Sequence, residues 1–251
     1  MSDTYLAEAA CAIATDVGAW CLERFLDADA GLVEMKGPAD FVSSIDRGAE
    51  DLARQRLVTL TPGISIVGEE NGGEPADEFW VLDPLDGTTN FLSGLPIWGV
   101  SIALMRNGRP VLGAVAAPAL GFAICGGEDA PIAIRGQLGR MSAGFGGLVA
   151  VGRNPQWPAA ERAELERQLE ADGLTIVSLG SCAVSLALVA LGRLRGYVEA
   201  HSRLWDCAAG TALCRAAGLP ARLEMLEGDF AVSIDAGVSR DNPVSRPRFE
   251  F

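Results

Sequence analysis

A chain of 251 residues with 49% hydrophobic side chains carries enough apolar surface for one large domain or two small ones. Its formal net charge of −13 leaves no basic stripe to neutralise a phosphate backbone, which argues against a nucleic-acid binder. The six cysteines (11, 21, 125, 182, 207 and 214) contain no C-x-x-C pair and lie mostly in apolar helical patterns, so reduced core thiols are expected rather than disulfides or a zinc site.

In chain order, Tyr5 to Leu26 sets Leu6, Ala9, Ala10, Ile13, Val17, Trp20 and Cys21 at helical spacing, as a packing helix does. The preceding Met1-Ser2-Asp3-Thr4-Tyr5 has neither a basic region nor an apolar signal core. The longest apolar stretches, such as Ala183 to Leu191, are too short to span a bilayer. A cytoplasmic protein without membrane contact is the expectation. Lys36-Gly37-Pro38 reads as a turn, Asp40 as the start of a short strand, and Ser43 through Leu60 as a second helix. Of the 20 basic residues only Lys36 is a lysine, a compact ammonium four residues before Asp40.

Ile64 to Val67 is apolar and runs into Gly68-Glu69-Glu70. Phe79-Trp80-Val81-Leu82 has the aromatic and branched content of a buried strand, which Asp83-Pro84 is expected to end. Ile97 to Met105, Val111 to Ala117 and Gly121 to Cys125 read as antiparallel strands, with Asn107-Gly108 marking a hairpin. Beyond the glycine-rich Ala143 to Gly147 the texture alternates. Strands are expected at Leu148 to Val151, Leu174 to Ser178 and Gly196 to Glu199, and helices at Ala159 to Ala171, Ala183 to Leu191 and Asp206 to Ala217. The expected organisation is an α+β half over 1–145 and an α/β half over 146–251.

Residues 83 to 91, Asp-Pro-Leu-Asp-Gly-Thr-Thr-Asn-Phe, carry the chemistry. Asp83 and Asp86 stand three residues apart around a turn, and two carboxylates so close repel unless cations lie between them. Gly87-Thr88-Thr89 adds backbone N–H groups and hydroxyls that suit phosphate oxygens, above all at a helix start. Carboxylates for a hard cation beside donors for an anion suit metal-assisted hydrolysis of a phosphate ester.

This nonapeptide resembles the metal-binding motif of the inositol monophosphatase family of magnesium-dependent, often lithium-sensitive phosphatases. Three further segments match that family in order: Gly68-Glu69-Glu70, the D-x-V-T-x-x-D-like Asp40 to Asp46 with Ser43 in place of threonine, and the W-D-x-A-A-G-like Trp205 to Gly210. The resemblance runs from about Lys36 to Gly218. It implies a layered α-β-α-β-α sugar-phosphatase fold of the α/β class, two to three Mg²⁺ ions (with Mn²⁺ as a substitute) and a homodimer. Glu69, Asp83 and Asp86, with the Leu85 carbonyl, would ligate one ion. Asp83, Asp86 and Asp206 would hold a second, and a third would lean on Glu69. Thr88 relaying to Asp46 would orient the attacking water, with Glu69 and Lys36 also lining the reaction centre. Phosphate would rest on the N–H groups of Gly87 and Thr88 and the Thr89 hydroxyl.

The small phosphorylated substrate would be met by Glu199, the Ser181-Cys182 loop and the free oxygen of Asp86, with Arg203 facing a second negative group. Inositol monophosphate leads the substrate expectations, with histidinol phosphate and fructose 1,6-bisphosphate as alternatives and a regulatory binding protein of the same fold as the non-enzyme reading. Ala200-His201-Ser202-Arg203-Leu204 departs from the glycine and proline that family members often carry there. After Leu219 the resemblance fades. For the dimer, the strand-rich Ile97 to Ala117 segment is the expected contact, unless the chain's own helices cover it.

Overall fold

The computed structural model describes residues 1–27, 33–37, 40–137, 147–228 and 230–238, with the side chains of 33–37 and 40–43 outside that description. The first helix, α1 (Asp3–Phe25), starts at Ser2, whose hydroxyl accepts the Tyr5 N–H at 3.3 Å, an N-cap that satisfies one first-turn donor. By length and hydropathy α1 could cross a membrane. Its apolar stripe is instead used in the core, where Leu6, Ala10, Cys11, Ala14, Val17 and Cys21 are buried. A hairpin of β1 (Val33–Gly37) and β2 (Asp40–Ser43) then leads into α2 (Ser44–Leu60).

Six strands form the first sheet in sequence order: β3 (Ser65–Gly68), β4 (Glu78–Asp86), β5 (Gly99–Arg106), β6 (Arg109–Ala117), β7 (Phe122–Gly127) and β8 (Ala130–Gly136). Only β3 and β4 run parallel. A short helix, α3 (Thr88–Leu92), leaves the end of β4. Asn107 (φ 49°) and Gly108 (φ 74°) both take the left-handed conformation that a two-residue type I′ hairpin demands. The second sheet contains β9 (Leu148–Val151), β10 (Thr175–Val177), β11 (Gly196–Arg203), β12 (Ala221–Met225) and β13 (Ala231–Ala236), in the order β10-β9-β11-β13-β12. Its helices are α4 (Ala159–Ala171), α5 (Cys182–Ala190) and α6 (Leu204–Ala216).

Strand alternation divides the apolar residues into layers. On β4, Trp80 and Leu82 face α1 and α2, whereas Phe79 and Val81 face the opposite way, into a core shared with α5, α6 and the second sheet. A third core of Val149, Val151, Val198, Leu165 and Leu169 joins the far face of the second sheet to α4. Helix, sheet, helix, sheet and helix therefore stack in five layers, the α/β architecture that the resemblance implies.

Several expectations need correction. The strand does not end at Asp83: β4 continues through Pro84 to Asp86. Asp83 stands opposite Ser101 and Asp86 opposite Gly99, so one extra residue bulges from β4. A bulge tolerates the N–H that proline lacks. Ile97 to Ala117 packs into a core on each face of its sheet from within the chain, the covering by the chain's own elements that is the alternative to a dimer contact there. Beyond Leu219 the chain still folds regularly into β12 and β13; Phe249 and Phe251 fall outside the described residues. The expected seam at 145/146 touches 138–146, also outside them.

Candidate active site

The bulge in β4 is what builds the site. It turns Asp83 and Asp86 to the same end of the first sheet, opposite Asp206 in the first turn of α6. Carboxylate oxygens from Asp83, Asp86 and Asp206 all lie within 4.8 Å of one another. Arg203, not Asp206, is the N-cap of α6. The helix opens at Leu204, and Asp206, at the third helical position, reaches back to accept the Arg203 N–H at 3.3 Å and the Ser202 hydroxyl at 3.0 Å. Asp83 Oδ1 accepts the Leu85 N–H at 2.9 Å, which fixes the turn between the two aspartates.

Asp86 is held from the other half of the molecule. Its Oδ2 accepts the Ser181 hydroxyl at 2.5 Å and the Ala183 N–H at 2.6 Å, both at the start of α5. Gly87 (φ 92°) has Ser181 and the Gly180 carbonyl so near that a Cβ would stand 3.2 and 3.3 Å from them. Asn90 completes this seam, donating its amide to the carbonyls of Ile97 at 2.7 Å and Leu179 at 2.8 Å.

Three carboxylates in one place, two of them buried, raise one another's proton affinity. Burial pushes the Asp83 carboxyl well above the usual carboxylate range, and the charges of Glu69, Asp86 and Asp206 add to it. Burial carries Asp206 to about 8, aided by Asp86 and Glu199. Asp86 reaches only about 6, because burial is opposed by the donors from Ser181 and Ala183. An all-oxygen cluster of this kind fits a hard cation, which would remove the repulsion that the protein itself leaves uncompensated.

Thr88 opens α3 beside this cluster. Its hydroxyl lies 3.2 Å from Asp46 Oδ1 and 3.0 Å from the Leu85 carbonyl. Asp46 is 3% exposed, so it is no ordinary surface acid of α2. The first-turn N–H groups of Thr88 and Thr89 have no acceptor within so short a helix. Lys36 lies on β1, and its side chain falls outside the described residues.

The family model of the inositol monophosphatase family matches residues 2–236. The chain belongs to the inositol monophosphatase family. This match extends past Gly218, further along the chain than the motifs alone suggest. "Uncharacterized protein y4fL" of Sinorhizobium fredii is 49% identical over 224 residues, covering 89% of this chain and 81% of its own. An inositol-1-monophosphatase of Mesorhizobium japonicum is 39% identical over 197 residues, covering 74% and 73%. Among solved structures, the extragenic suppressor protein suhB of Bartonella henselae superposes with a TM-score of 0.80 at 30% identity, covering 93% of each chain.

Beside the acidic cluster lies a cavity of about 220 Å³, lined by Asp86, Ser181, Cys182, Glu199 and Asp206 among the expected residues. Its wall also contains Arg153, Asn154, Tyr197 and Ser202, which the motifs did not single out. Tyr197 was within reach of sequence reasoning, because it shares a strand face with Glu199 at spacing two. Arg153 and Asn154 follow β9, a place that carries no motif. Glu199 is buried and braced: Oε2 accepts the Tyr197 hydroxyl at 2.7 Å and Oε1 the Asn154 N–H at 3.1 Å. His201 and Arg203 do not line this cavity.

Proposed function

We propose that the protein is a Mg²⁺-dependent phosphomonoesterase acting on a small polyol or sugar phosphate, with inositol monophosphate as the leading substrate. The observation that carries this reading is the convergence of three carboxylates, those of Asp83 and Asp86 buried and that of Asp206 half-buried, with the Thr88–Asp46 pair. Glu69, Asp83, Asp86 and Asp206, with the Leu85 carbonyl, would hold the cations. A bound divalent ion supplies an acidified water and neutralises charge on the phosphoryl oxygens. The protein's own part is proton handling and positioning. Thr88 has one hydroxyl proton and two acceptors in range, so it can donate to Asp46 Oδ1 while accepting a hydrogen bond from an incoming water. Gly87, Thr88 and Thr89 would cradle the phosphate, and the remaining lone pairs of Glu199 would accept a substrate hydroxyl.

Thr88→Ala should lower kcat by roughly 10²–10⁴, the usual worth of a positioned acid–base relay, with KM changed little. Thr88→Ser should retain most of the rate, and wild-type kcat in the alanine variant would contradict the relay. For the substrate, kcat/KM should be compared across inositol monophosphate, histidinol phosphate, fructose 1,6-bisphosphate and an adenosine bisphosphate, with Mg²⁺ and with EDTA. Preference for histidinol phosphate by about tenfold would displace the inositol assignment. Phosphate release in EDTA would overturn the metal-dependent reading altogether.

A second reading is a regulatory binding protein that retains the phosphatase fold. It is favoured by the likeness to a protein known as an extragenic suppressor. Inactivity across the whole panel, together with a specific macromolecular partner, would make it the better one.

A further inference from the structure

Glu69 depends on the turn that carries it. Gly68 to Gly72 forms this turn at the end of β3, closed by the Gly68 N–H on the Gly72 carbonyl at 2.9 Å and the Glu69 N–H on the Leu82 carbonyl at 3.2 Å. One helical turn after Asp46 on α2 comes Glu50, which is wholly buried. Its carboxylate reaches into the turn: Oε2 accepts the Glu70 N–H at 2.8 Å, and Oε1 the Asn71 N–H at 3.1 Å. Arg54, one turn further along α2, donates Nε to Glu50 Oε1 at 2.6 Å. The other guanidinium nitrogens donate to the Ile66 carbonyl at 3.2 Å and to the Gly72 carbonyl. Gly68 leaves space for this approach, because a Cβ there would stand 2.4 Å from Glu50 Oε1 and 2.9 Å from Arg54 Nη2.

An ion pair is a costly way to join a helix to a sheet. Buried charges must be desolvated, and apolar residues of similar size commonly pack as well or better. What apolar side chains cannot do is accept two consecutive N–H groups of a turn and donate to the carbonyls on either side of it. We infer that Glu50 and Arg54 are positioning residues that clamp the Glu69 turn and thereby set the metal affinity of the carboxylate cluster. Asp46 and Glu50, at i and i+4, lie on one face of α2. The same rigid helix therefore indexes Thr88 through Asp46 and the Glu69 turn through Glu50. This inference rests on the metal-centre reading of the proposed function, and its test reads metal binding rather than turnover.

Glu50→Gln keeps the side chain's size but sets an amide donor against the N–H groups of Glu70, Asn71 or Arg54. Mn²⁺ titration followed by electron paramagnetic resonance should show affinity at least about tenfold weaker, the effect typical of a lost outer-sphere partner. At saturating Mn²⁺ the KM for ester should stay within about twofold of wild type, since Glu50 touches no substrate. Gly68→Ala pushes on the same carboxylate from the opposite side and should weaken Mn²⁺ binding in the same direction. A folded Glu50→Gln protein with wild-type Mn²⁺ affinity overturns the clamp. Hydrogen exchange on the unmodified protein gives a check independent of any variant. The Glu70 and Asn71 amides should be protected despite lying in a surface turn, and rapid exchange at both overturns the clamp as well. A wild-type protein that binds Mn²⁺ yet hydrolyses no ester defeats the proposed activity while leaving this test intact.

Discussion

Asp83→Asn is expected to cost about a thousandfold or more in phosphate release, roughly 4 kcal/mol of transition-state stabilisation, while making the metal-free protein more stable. The two effects share one cause. Asp83 is 1% exposed and is crowded by the charges of Glu69, Asp86 and Asp206. Asparagine removes the charge that the cations would share, and with it the repulsion that the metal-free protein must bear. The amide oxygen can still accept the Leu85 N–H, so the turn to Asp86 keeps its hydrogen bond. Steady-state kinetics with Mg²⁺ and thermal melts in EDTA check both parts. A lower melting temperature for the variant in EDTA would show that the carboxylate holds the fold together rather than straining it.

Without metal, the protein should lose stability as pH rises from about 4 to about 8. Asp86 and Asp206 move from an ordinary 3.8 to about 6 and about 8 in the folded state, and burial raises Asp83 well above 3.8 too. Over that window the folded chain keeps protons that the unfolded chain has released. The unfolded state therefore binds fewer protons, and the free energy of unfolding falls as pH increases. The loss begins near the ordinary carboxylate value and levels off for each group once its folded value is passed. Salt-bridged acids, whose folded values are depressed, give the opposite slope. Saturating Mg²⁺ should remove this slope, because the cation stabilises the ionised carboxylates. Mg²⁺ binding should also release protons and tighten as pH climbs towards 8. Melts in EDTA and in Mg²⁺ across this range, with calorimetry in buffers of different ionisation enthalpy, measure both. A metal-free melting temperature that rises from about pH 5 to about pH 8 contradicts the reading.

Much of this site was legible because its residues punctuate the chain. Glycine at 87 and 108 meets backbone demands that other residues meet poorly, so the motif turn and the β5–β6 hairpin could be located in advance. Helices α1, α2, α4, α5 and α6 follow their apolar spacing to within two residues at either end. Long-range partners were hidden. Pro84 marked a strand end by local rules, but a bulge opposite Val100 absorbs it. Glu50 stands among charged neighbours that suggest a wet helix face. Only the fold reveals that a surface turn closes over it, although its spacing of four from Asp46 was visible. The bracing of Glu199 by Asn154 joins residues 45 apart, which no local pattern encodes.

The donors that hold Asp86 come from Ser181 and Ala183, nearly a hundred residues away across the second core. Neither sheet alone can then assemble the acidic cluster, since the first supplies Asp83 and Asp86 and the second half supplies Asp206 together with the Ser181 brace. If the chain were cut within 138–146 and its fragments expressed separately, neither should chelate a divalent ion on its own. Mixing them should restore chelation in proportion to the amount reassembled, so a metal-sensitive dye would report complementation of the fragments without any substrate at all.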